Sequence, residues 1–275
     1  MQLKKYFTAP FAALLLTGAS LANAAAPIDV TWNPSAVPGL TTTLPFTFDN
    51  MVISQYSAID ITAGATHFTD TGFINLAFFS NNGVPTGAPQ AGLPGPGTPY
   101  SLYMVFTAAG TQTPGVPSTG FFTSMTYSLL AAPGITTFAD SNNDGIFEVT
   151  GAPTVTLATG TLNGPGSTSL TGTPGNFLPA ASLTATFVPN PAFAGFFVNP
   201  NASQILDLSA AFTNTGSVIT QFDLGGGNFR LSVNGGGGNA TFAIPAIPEP
   251  DTYGMLLAGL GLFAFVARRR KQKIA

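Results

Sequence analysis

The sequence predicts an all-β fold, an antiparallel β-sandwich or jelly-roll-like domain, and three observations lead to this prediction. Apolar and polar residues alternate along many short segments, as in strands that turn one face toward a core. Clusters of Gly, Asn and Pro separate these segments and favour turns. The 275 residues include 32 Gly and 23 Pro, a content that disfavours long helices.

The alternating segments follow one another through a single predicted domain. They cover residues 43–48, 57–62, 121–129, 154–162, 183–188, 205–212, 218–224, 229–233 and 240–244. Turn-favouring clusters lie at 81–83, 142–145, 163–166, 190–191, 225–227 and 235–238. Two further stretches, 83–99 and 110–120, predict surface loops, because Pro cannot join the centre of a strand ladder. Many short strands at this spacing are typical of a sandwich or jelly roll.

The first 24 residues have the pattern of a secretory signal peptide. Lys4 and Lys5 form a positive region, residues 11–16 an apolar region, and Ala22-Asn23-Ala24 a cleavage site with small flanking residues. The pattern predicts a signal helix over 1–24, removed on export, and a folded extracellular domain over 25–246. The alternative is a permanent N-terminal helix, which the short apolar region and the cleavage site disfavour.

The C-terminal segment, residues 247–275, combines three signals. Pro248 and Pro250 hold Glu249 in extended backbone, because each proline fixes its own φ and disfavours helix in the preceding residue. The uncharged apolar run 253–267 then predicts a transmembrane helix with small residues for close contacts in lipid. The basic residues after the run predict a cytoplasmic stop: Arg268, Arg269, Arg270 and Lys271.

This order of features resembles the PEP-CTERM sorting tail of bacteria that secrete exopolysaccharide. The resemblance covers residues 247–271. It implies that the tail holds the exported protein in the inner membrane until exosortase, a membrane transpeptidase-like protease, recognises Pro248, Glu249 and Pro250. The alternative is an ordinary C-terminal anchor with an incidental proline hinge. The run is shorter than the roughly 20 residues of a comfortable membrane span, which favours a transient anchor.

Charge distinguishes the predicted domain from both tails. Between residues 25 and 246, Arg230 is the only basic residue against nine Asp and Glu, a formal net charge of −8. Nucleic acid is therefore excluded as a partner class, because phosphate binding needs Lys and Arg on one face. Direct capture of an acidic polysaccharide is disfavoured for the same reason, although a divalent cation can bridge two acidic polymers. Cys is absent, so stability must come from the core.

One predicted loop has the spacing of a calcium site. Oxygen donors recur at alternate positions around a Gly that suits a sharp turn: Asp140, Asn142, Asp144, the carbonyl of Ile146, and Glu148. The twelfth position is Gly151, so the usual bidentate glutamate is missing. Two interpretations stay open. One is a weak calcium site, and the other is a metal-free β-turn whose side chains cap its own backbone.

The sequence shows no catalytic constellation, and it predicts a non-enzymatic protein. His67 is the sole His, between Thr66 and Phe68 in an apparent strand. A serine or metal hydrolase would need a base-orienting carboxylate or further ligands beside it. Carboxylates from separate strands leave glycoside hydrolysis open.

Aromatic side chains are candidate contacts for sugar rings, because they combine an apolar face with a polar edge. Most aromatics of such a chain are expected in the core. The candidates for an exposed role are Trp32, Tyr56, Tyr100, Tyr103 and Tyr127. Trp32 is the first choice because it follows the mature N-terminus, although burial under the first strand is the alternative.

A second resemblance extends over most of the mature chain. The layout of segments 32–34, 100–106, 140–151, 157–164, 193–201 and 221–234 is similar to the flocculation-associated PEP-CTERM proteins, the PepA type. It implies a role at the cell surface or in the extracellular matrix, holding cells and exopolysaccharide together in flocs or biofilm. The alternative is a carbohydrate-binding or carbohydrate-active module that uses the same export route.

Overall fold

Sixteen β-strands and two short 3-10 helices make up the described chain. The structure is a computed structural model that describes residues 27–245 without 41–43, 63, 65, 87–99, 152–153, 174–175 and 214–216. The strands are β1 (Val30–Trp32), β2 (Phe46–Phe48), β3 (Asn50–Ile61), β4 (His67–Asn81), β5 (Val84–Pro85), β6 (Tyr100–Gln112), β7 (Ser118–Pro133), β8 (Thr137–Ala139), β9 (Glu148–Thr150), β10 (Val155–Thr161), β11 (Gly166–Thr173), β12 (Asn176–Pro189), β13 (Phe197–Asn199), β14 (Leu206–Phe212), β15 (Val218–Gly225) and β16 (Asn228–Ala243). The 3-10 helices are Pro34–Ala36 and Pro191–Phe196.

Eleven strands form one antiparallel sheet that closes on itself. The path runs β14, β16, β3, β4, β6 and β7, and then through β10 and β11 to β12. β12 pairs with β14 from Ala181 opposite Phe212 to Phe187 opposite Leu206, which completes the circuit. β5 pairs with the end of β4, and β15 with the first half of β16. Because a closed path pairs its strands on both sides, the core lies inside the circuit.

Alternate side chains of the long strands point into the closed sheet. In β12, Leu183, Ala185 and Phe187 are buried, whereas Ser182 and Val188 are exposed. This is the two-residue period from which strands were predicted. The buried side chains of the long strands join one hydrophobic cluster with those of β1 and β2.

The predicted all-β antiparallel class is confirmed. The expected sandwich or jelly roll differs from the observed pairing, because one continuous sheet surrounds the core instead of two separate sheets. The predicted loop 110–120 is shorter than expected, since β6 continues to Gln112 and β7 begins at Ser118. Of the predicted loop 83–99, residues 87–99 lie outside the described residues.

One end of the closed sheet is filled by an aromatic cluster around Trp32. β1 pairs with β2 and β13 in a small three-stranded sheet at this end. The Trp32 ring lies edge-on to three Phe rings, with centroid distances of 4.8 Å to Phe48, 5.8 Å to Phe79 and 6.0 Å to Phe242. Edge-on pairs of this kind are favourable beyond the area they bury. The cluster therefore closes this end of the sheet with side chains.

Hairpin turns lie at the other end of the same sheet. They join β3 to β4, β6 to β7, β11 to β12 and β15 to β16. Buried residues near these turns include Ile61, Phe68, Phe122 and Leu170. No small sheet like that of β1, β2 and β13 covers these turns in the described part of the chain.

The predictions for the two chain ends lie outside the described residues. They concern the signal helix over 1–24, the transmembrane helix over 253–267, and the basic stop at 268–271. In the ranges that are described, no helix has the length and apolarity to cross a membrane. The compact unit of the structure spans Ala26–Pro245, and the processing boundaries at 24 and 247 stay predictions.

The first prediction concerns the aromatic cluster. Trp32→Ala should lower the free energy of unfolding by about 3–5 kcal/mol, because the surrounding rings cannot collapse fully into the space left. Urea denaturation of the full-length protein measures the change. Leu44→Ala is the control, since Leu44 is 82% exposed and should change stability by less than about 0.5 kcal/mol. Equal effects of the two substitutions would contradict the role of Trp32.

Candidate functional site

The acidic loop 140–148 joins the two strands of a hairpin that lies on the outside of the closed sheet. β8 and β9 form this hairpin, with Phe138 opposite Val149. The Phe138 ring stacks on Tyr56 of β3 at 4.9 Å between centroids and lies 5.4 Å from Tyr103 of β6. Phe147 is buried and meets Tyr56 edge-on at 5.7 Å. Aromatic contacts therefore fix both ends of the loop to the sheet.

Arg230 of β16 ties the middle of the loop to the sheet. Its Nε and Nη2 donate to the two carboxylate oxygens of Asp60 at 2.6 and 2.8 Å. Its Nη1 donates to the backbone carbonyl oxygen of Asp144 at 3.0 Å. Hydrogen bonding to Asp60 raises the pKa of Arg230 further. The bidentate geometry is the strong form of this pair, so this one basic residue of the domain holds the loop in place.

The carboxylates of the predicted calcium loop bind the loop's own backbone. Asp140 accepts from the Asp144 and Gly145 amides at 3.0 and 2.9 Å. Glu148 accepts from the Ser141 amide at 2.8 Å, and Asp144 accepts from the Ile146 amide at 2.8 Å. These are the side-chain caps expected of a turn.

A calcium site was one of the two interpretations of this loop, but its acidic side chains do not converge on one point. In residues 27–245 as described, no three His, Asp or Glu side chains come together in a way that could hold a metal ion. Asn142 donates to the Asp144 carboxylate at 3.1 Å, which uses a further candidate ligand. The contacts favour the turn interpretation, and calcium binding by Asp140, Asn142, Asp144, Ile146 and Glu148 stays a prediction.

The aromatic residues proposed as exposed sugar contacts are mostly buried, so that prediction is wrong for four of them. The buried ones are Trp32, Tyr100, Tyr103 and Tyr127, each at most 4% exposed. The fifth, Tyr56, is half-buried beneath Phe138. Trp32, Tyr100 and Tyr127 belong to the core inside the sheet, where large rings gain most from burial. Tyr103 lies on the outer face of β6 and is covered by Phe138 of the β8–β9 hairpin. None of the five offers an open face for stacking.

His67 and Asp70 belong to opposite faces of β4. His67 is exposed, and its Nδ1 shares a hydrogen bond of 2.8 Å with the Thr66 hydroxyl. Asp70 points into the closed sheet. Within the described ranges, no hydrogen bond or ion pair joins His67 to a carboxylate. The geometry assembles no His–carboxylate pair around this residue.

Asp70 is a buried carboxylate that the sequence did not identify as a candidate site residue. Its side chain is 7% exposed, and burial raises its pKa from 3.8 to about 7, with a smaller contribution from the charge of Asp60. Gln55 Nε2 donates to Oδ2 at 3.2 Å, and Ser57 also hydrogen-bonds the carboxylate. Asp70 falls on the same alternating face of β4 as the inward residues Phe68 and Ile74. This alternation is the sequence signal that indicates its burial.

The second carboxylate oxygen of Asp70 has no partner among the described residues. Oδ1 is buried and accepts no hydrogen bond. Asp70 and Gln55 line a partly open pocket of about 40 Å³ on one side and an inner cavity of about 20 Å³ on the other. A buried polar atom without a partner costs about 1–3 kcal/mol, and more if charged. The carboxylate is therefore the chemically exceptional group of the interior.

Comparison with known proteins identifies one segment. Residues 246–271 match the PEP-CTERM protein-sorting motif. No curated protein and no solved structure matches the chain. The sorting tail predicted from Pro248, Glu249 and Pro250 is thus confirmed as a motif, and the resemblance to the flocculation-associated type stays a prediction.

The second prediction is a pH dependence of stability. Because the pKa of Asp70 is about 7 in the folded state and 3.8 otherwise, the folded state binds more protons between these values, and stability falls as pH rises from about 4 to 7. The difference corresponds to roughly 4 kcal/mol. Asp70→Asn should remove this fall, so the variant gains stability relative to wild type at pH 8.

Urea denaturation of the full-length protein at pH 4, 6 and 8 measures this dependence. The matched control is Asp223→Asn, which makes the same charge change at an exposed position of β15. It should leave the wild-type pH profile in place. A wild-type profile that is flat between pH 4 and 8 would contradict the assignment to Asp70.

The third prediction tests calcium at the acidic loop. If the loop binds calcium, the melting temperature rises in millimolar calcium, because bound metal stabilises the folded state by RT ln(1 + [L]/Kd). Asp144→Ala should abolish the rise, whereas Asp223→Ala should retain it. An unchanged wild-type melting temperature would leave only the metal-free turn.

Proposed function

Because the chain carries a PEP-CTERM sorting motif, which marks an exported protein processed by exosortase, we propose that its β-domain is a non-enzymatic component of the extracellular matrix. In this role it joins cells and exopolysaccharide in flocs or biofilm. The observation that carries the proposal is the motif at residues 246–271. The membrane holds the protein only transiently, through the apolar segment and the stop at 268–271.

The position of the motif suits the release of a folded domain. β16 ends at Ala243, and the motif begins three residues later, at 246. All pairings of β16 with β3, β14 and β15 are made by Ala243 or earlier. Cleavage near Pro248, Glu249 and Pro250 would therefore remove no residue of the sheet, and we expect the domain to keep its fold after processing.

The negative charge of the domain favours contact with a neutral polymer. The domain has a net charge of −8, and its one basic residue, Arg230, is held by Asp60. An acidic polysaccharide would be repelled unless cations lie between the two polymers. A neutral polysaccharide meets no such barrier.

The outer face of the sheet offers hydroxyl groups to such a polymer. Thr71 lies opposite Thr107, Thr107 opposite Thr126, and Thr126 opposite Thr161, across four neighbouring strands. All four are exposed, and neighbouring strands lie about 4.8 Å apart. Hydroxyls can both donate to and accept from sugar hydroxyls. This row supports contact with a hydrated, neutral polysaccharide without any stacking aromatic.

The fourth prediction tests sorting and aggregation together. In cells that lack the gene, a variant with Pro248, Glu249 and Pro250 replaced by Ala should accumulate uncleaved in the membrane fraction, because the apolar segment and basic stop remain while the recognition residues do not. Wild type should be cleaved and should restore clumping. Fractionation with immunoblotting and a settling assay measure the two results.

Two controls make the outcomes separable. Replacing exposed residues of the domain, such as Thr107→Glu with Thr126→Glu, should leave cleavage intact and weaken clumping, whereas Thr220→Glu on β15 should leave both cleavage and clumping unchanged. Normal cleavage of the triple-Ala variant would contradict the exosortase assignment. Unchanged clumping in the gene deletion would contradict the aggregation role, and loss of polysaccharide synthesis would instead indicate a carbohydrate-active module.

A further inference from the structure

The interior of the closed sheet contains a pocket that begins beneath the hairpin turns and ends at Asp70. Its volume is about 40 Å³, and it is partly open. Strands β3, β4, β6, β7, β11, β12 and β16 contribute to its wall. The wall is mostly apolar, and its large side chains are Ile59, Ile61, Phe68, Phe122, Leu170 and Leu231.

Asp70 is the only titratable group that lines this pocket or the inner cavity behind it. Gln55 and Ser57 satisfy one side of the carboxylate, while Oδ1 has no partner within the described ranges. The charge of Asp60, which acts on Asp70, is also negative. Arg230, the one basic residue between 25 and 246, is engaged by Asp60 on the outer face.

A buried carboxylate without a counter-charge is costly, because burial removes water from the charged form. It can be relieved by a proton or by a cation that enters the pocket. Water in the pocket would satisfy the hydrogen bond of Oδ1 but would leave the charge uncompensated.

We propose that this pocket binds a primary ammonium group, whose N–H donates to Asp70 Oδ1 while its attached carbon contacts the apolar wall. This goes beyond the matrix role and does not depend on it. The ammonium group can belong to a small free amine, or to a longer amine whose remainder stays outside the mouth.

The size of the pocket selects the ligand. One water needs about 10–15 Å³ of such volume, so about 40 Å³ accommodates an ammonium group with one methyl carbon. Typical organic-ligand pockets are about 300–1,000 Å³, which excludes a whole sugar ring. Calcium needs about six to eight oxygen ligands, whereas the polar residues here are few: Gln55, Asp70, Gln112, Thr168 and Ser169.

Binding should depend on pH, because only the ionised carboxylate attracts the cation. Apart from Asp70, the strands around the pocket carry Asp60, Arg230 and His67, and all three lie on the outer face. Asp60 and Arg230 pair with each other, and the Thr66 hydroxyl shares a hydrogen bond with His67. With a pKa of about 7, the ionised fraction of Asp70 falls to about 1% at pH 5, so affinity should be roughly 100-fold weaker at pH 5 than at pH 8.

The experiment titrates the full-length protein with methylammonium chloride at pH 8 and pH 5. Melting temperature and the ¹³C shift of the Asp70 carboxyl group are recorded, with sodium chloride and tetramethylammonium chloride at equal ionic strength as controls. Tetramethylammonium is too large and has no N–H donor. We expect methylammonium alone to raise the melting temperature at pH 8 and to lower the measured pKa of Asp70.

Three variants locate the effect. Asp70→Asn should lose it, and Thr168→Leu should weaken it by filling the pocket while leaving the carboxylate in place. Asp223→Asn, with the same charge change at an exposed position of β15, should retain it. Equal effects of sodium or tetramethylammonium, persistence in Asp70→Asn, or an unchanged pKa of Asp70 in the wild-type protein would each overturn the proposal, the last in favour of water alone.

Discussion

The pairing of β12 with β14 is the contact on which the rest of the structure depends. It joins the end of the strand path to its beginning and turns a row of strands into a closed sheet. Closure satisfies backbone donors and acceptors that an open edge would expose. It also assigns every alternate side chain of the long strands either to an enclosed core or to water. A chain without Cys gains its stability in this way, from one continuous hydrophobic cluster.

The two ends of this closed sheet differ, and the difference explains where unusual chemistry is found. The Trp32 cluster and the small sheet of β1, β2 and β13 fill one end with aromatic rings. Toward the hairpin turns the packing is looser and leaves the pocket above Asp70. The Asp70 carboxylate lies there and keeps an unsatisfied oxygen. The acidic loop, in contrast, lies outside, where Arg230 and its own amides balance its charges.

In the proposed role, export and polymer contact belong to separate parts of the chain. The sorting motif is a linear signal that follows the last strand, so its recognition does not require the domain's shape. The domain presents a surface that carries acidic and hydroxyl groups and whose one basic residue is paired. Most of its aromatic side chains pack in the fold, with Phe121 exposed. The proposed polymer contact on this surface would therefore rest mainly on hydrogen bonds and cations, which are weak singly and effective when many act together.

The sequence by itself determined the strand class, the charge balance and the sorting tail, because each depends on local order: a two-residue period, a count of ionisable groups, and a Pro-Glu-Pro segment before an apolar run and a basic stop. Only the tertiary structure decided the closure of the sheet, since β12 meets β14 through long-range pairing that periodicity does not encode. It also decided that Tyr100, Tyr103 and Tyr127 are buried rather than exposed. Asp70 illustrates the same division. The alternation along β4 indicates that its side chain points inward, but its unpaired oxygen and raised pKa depend on neighbours from other strands. Burial and hydrogen bonding arise only when the strands assemble.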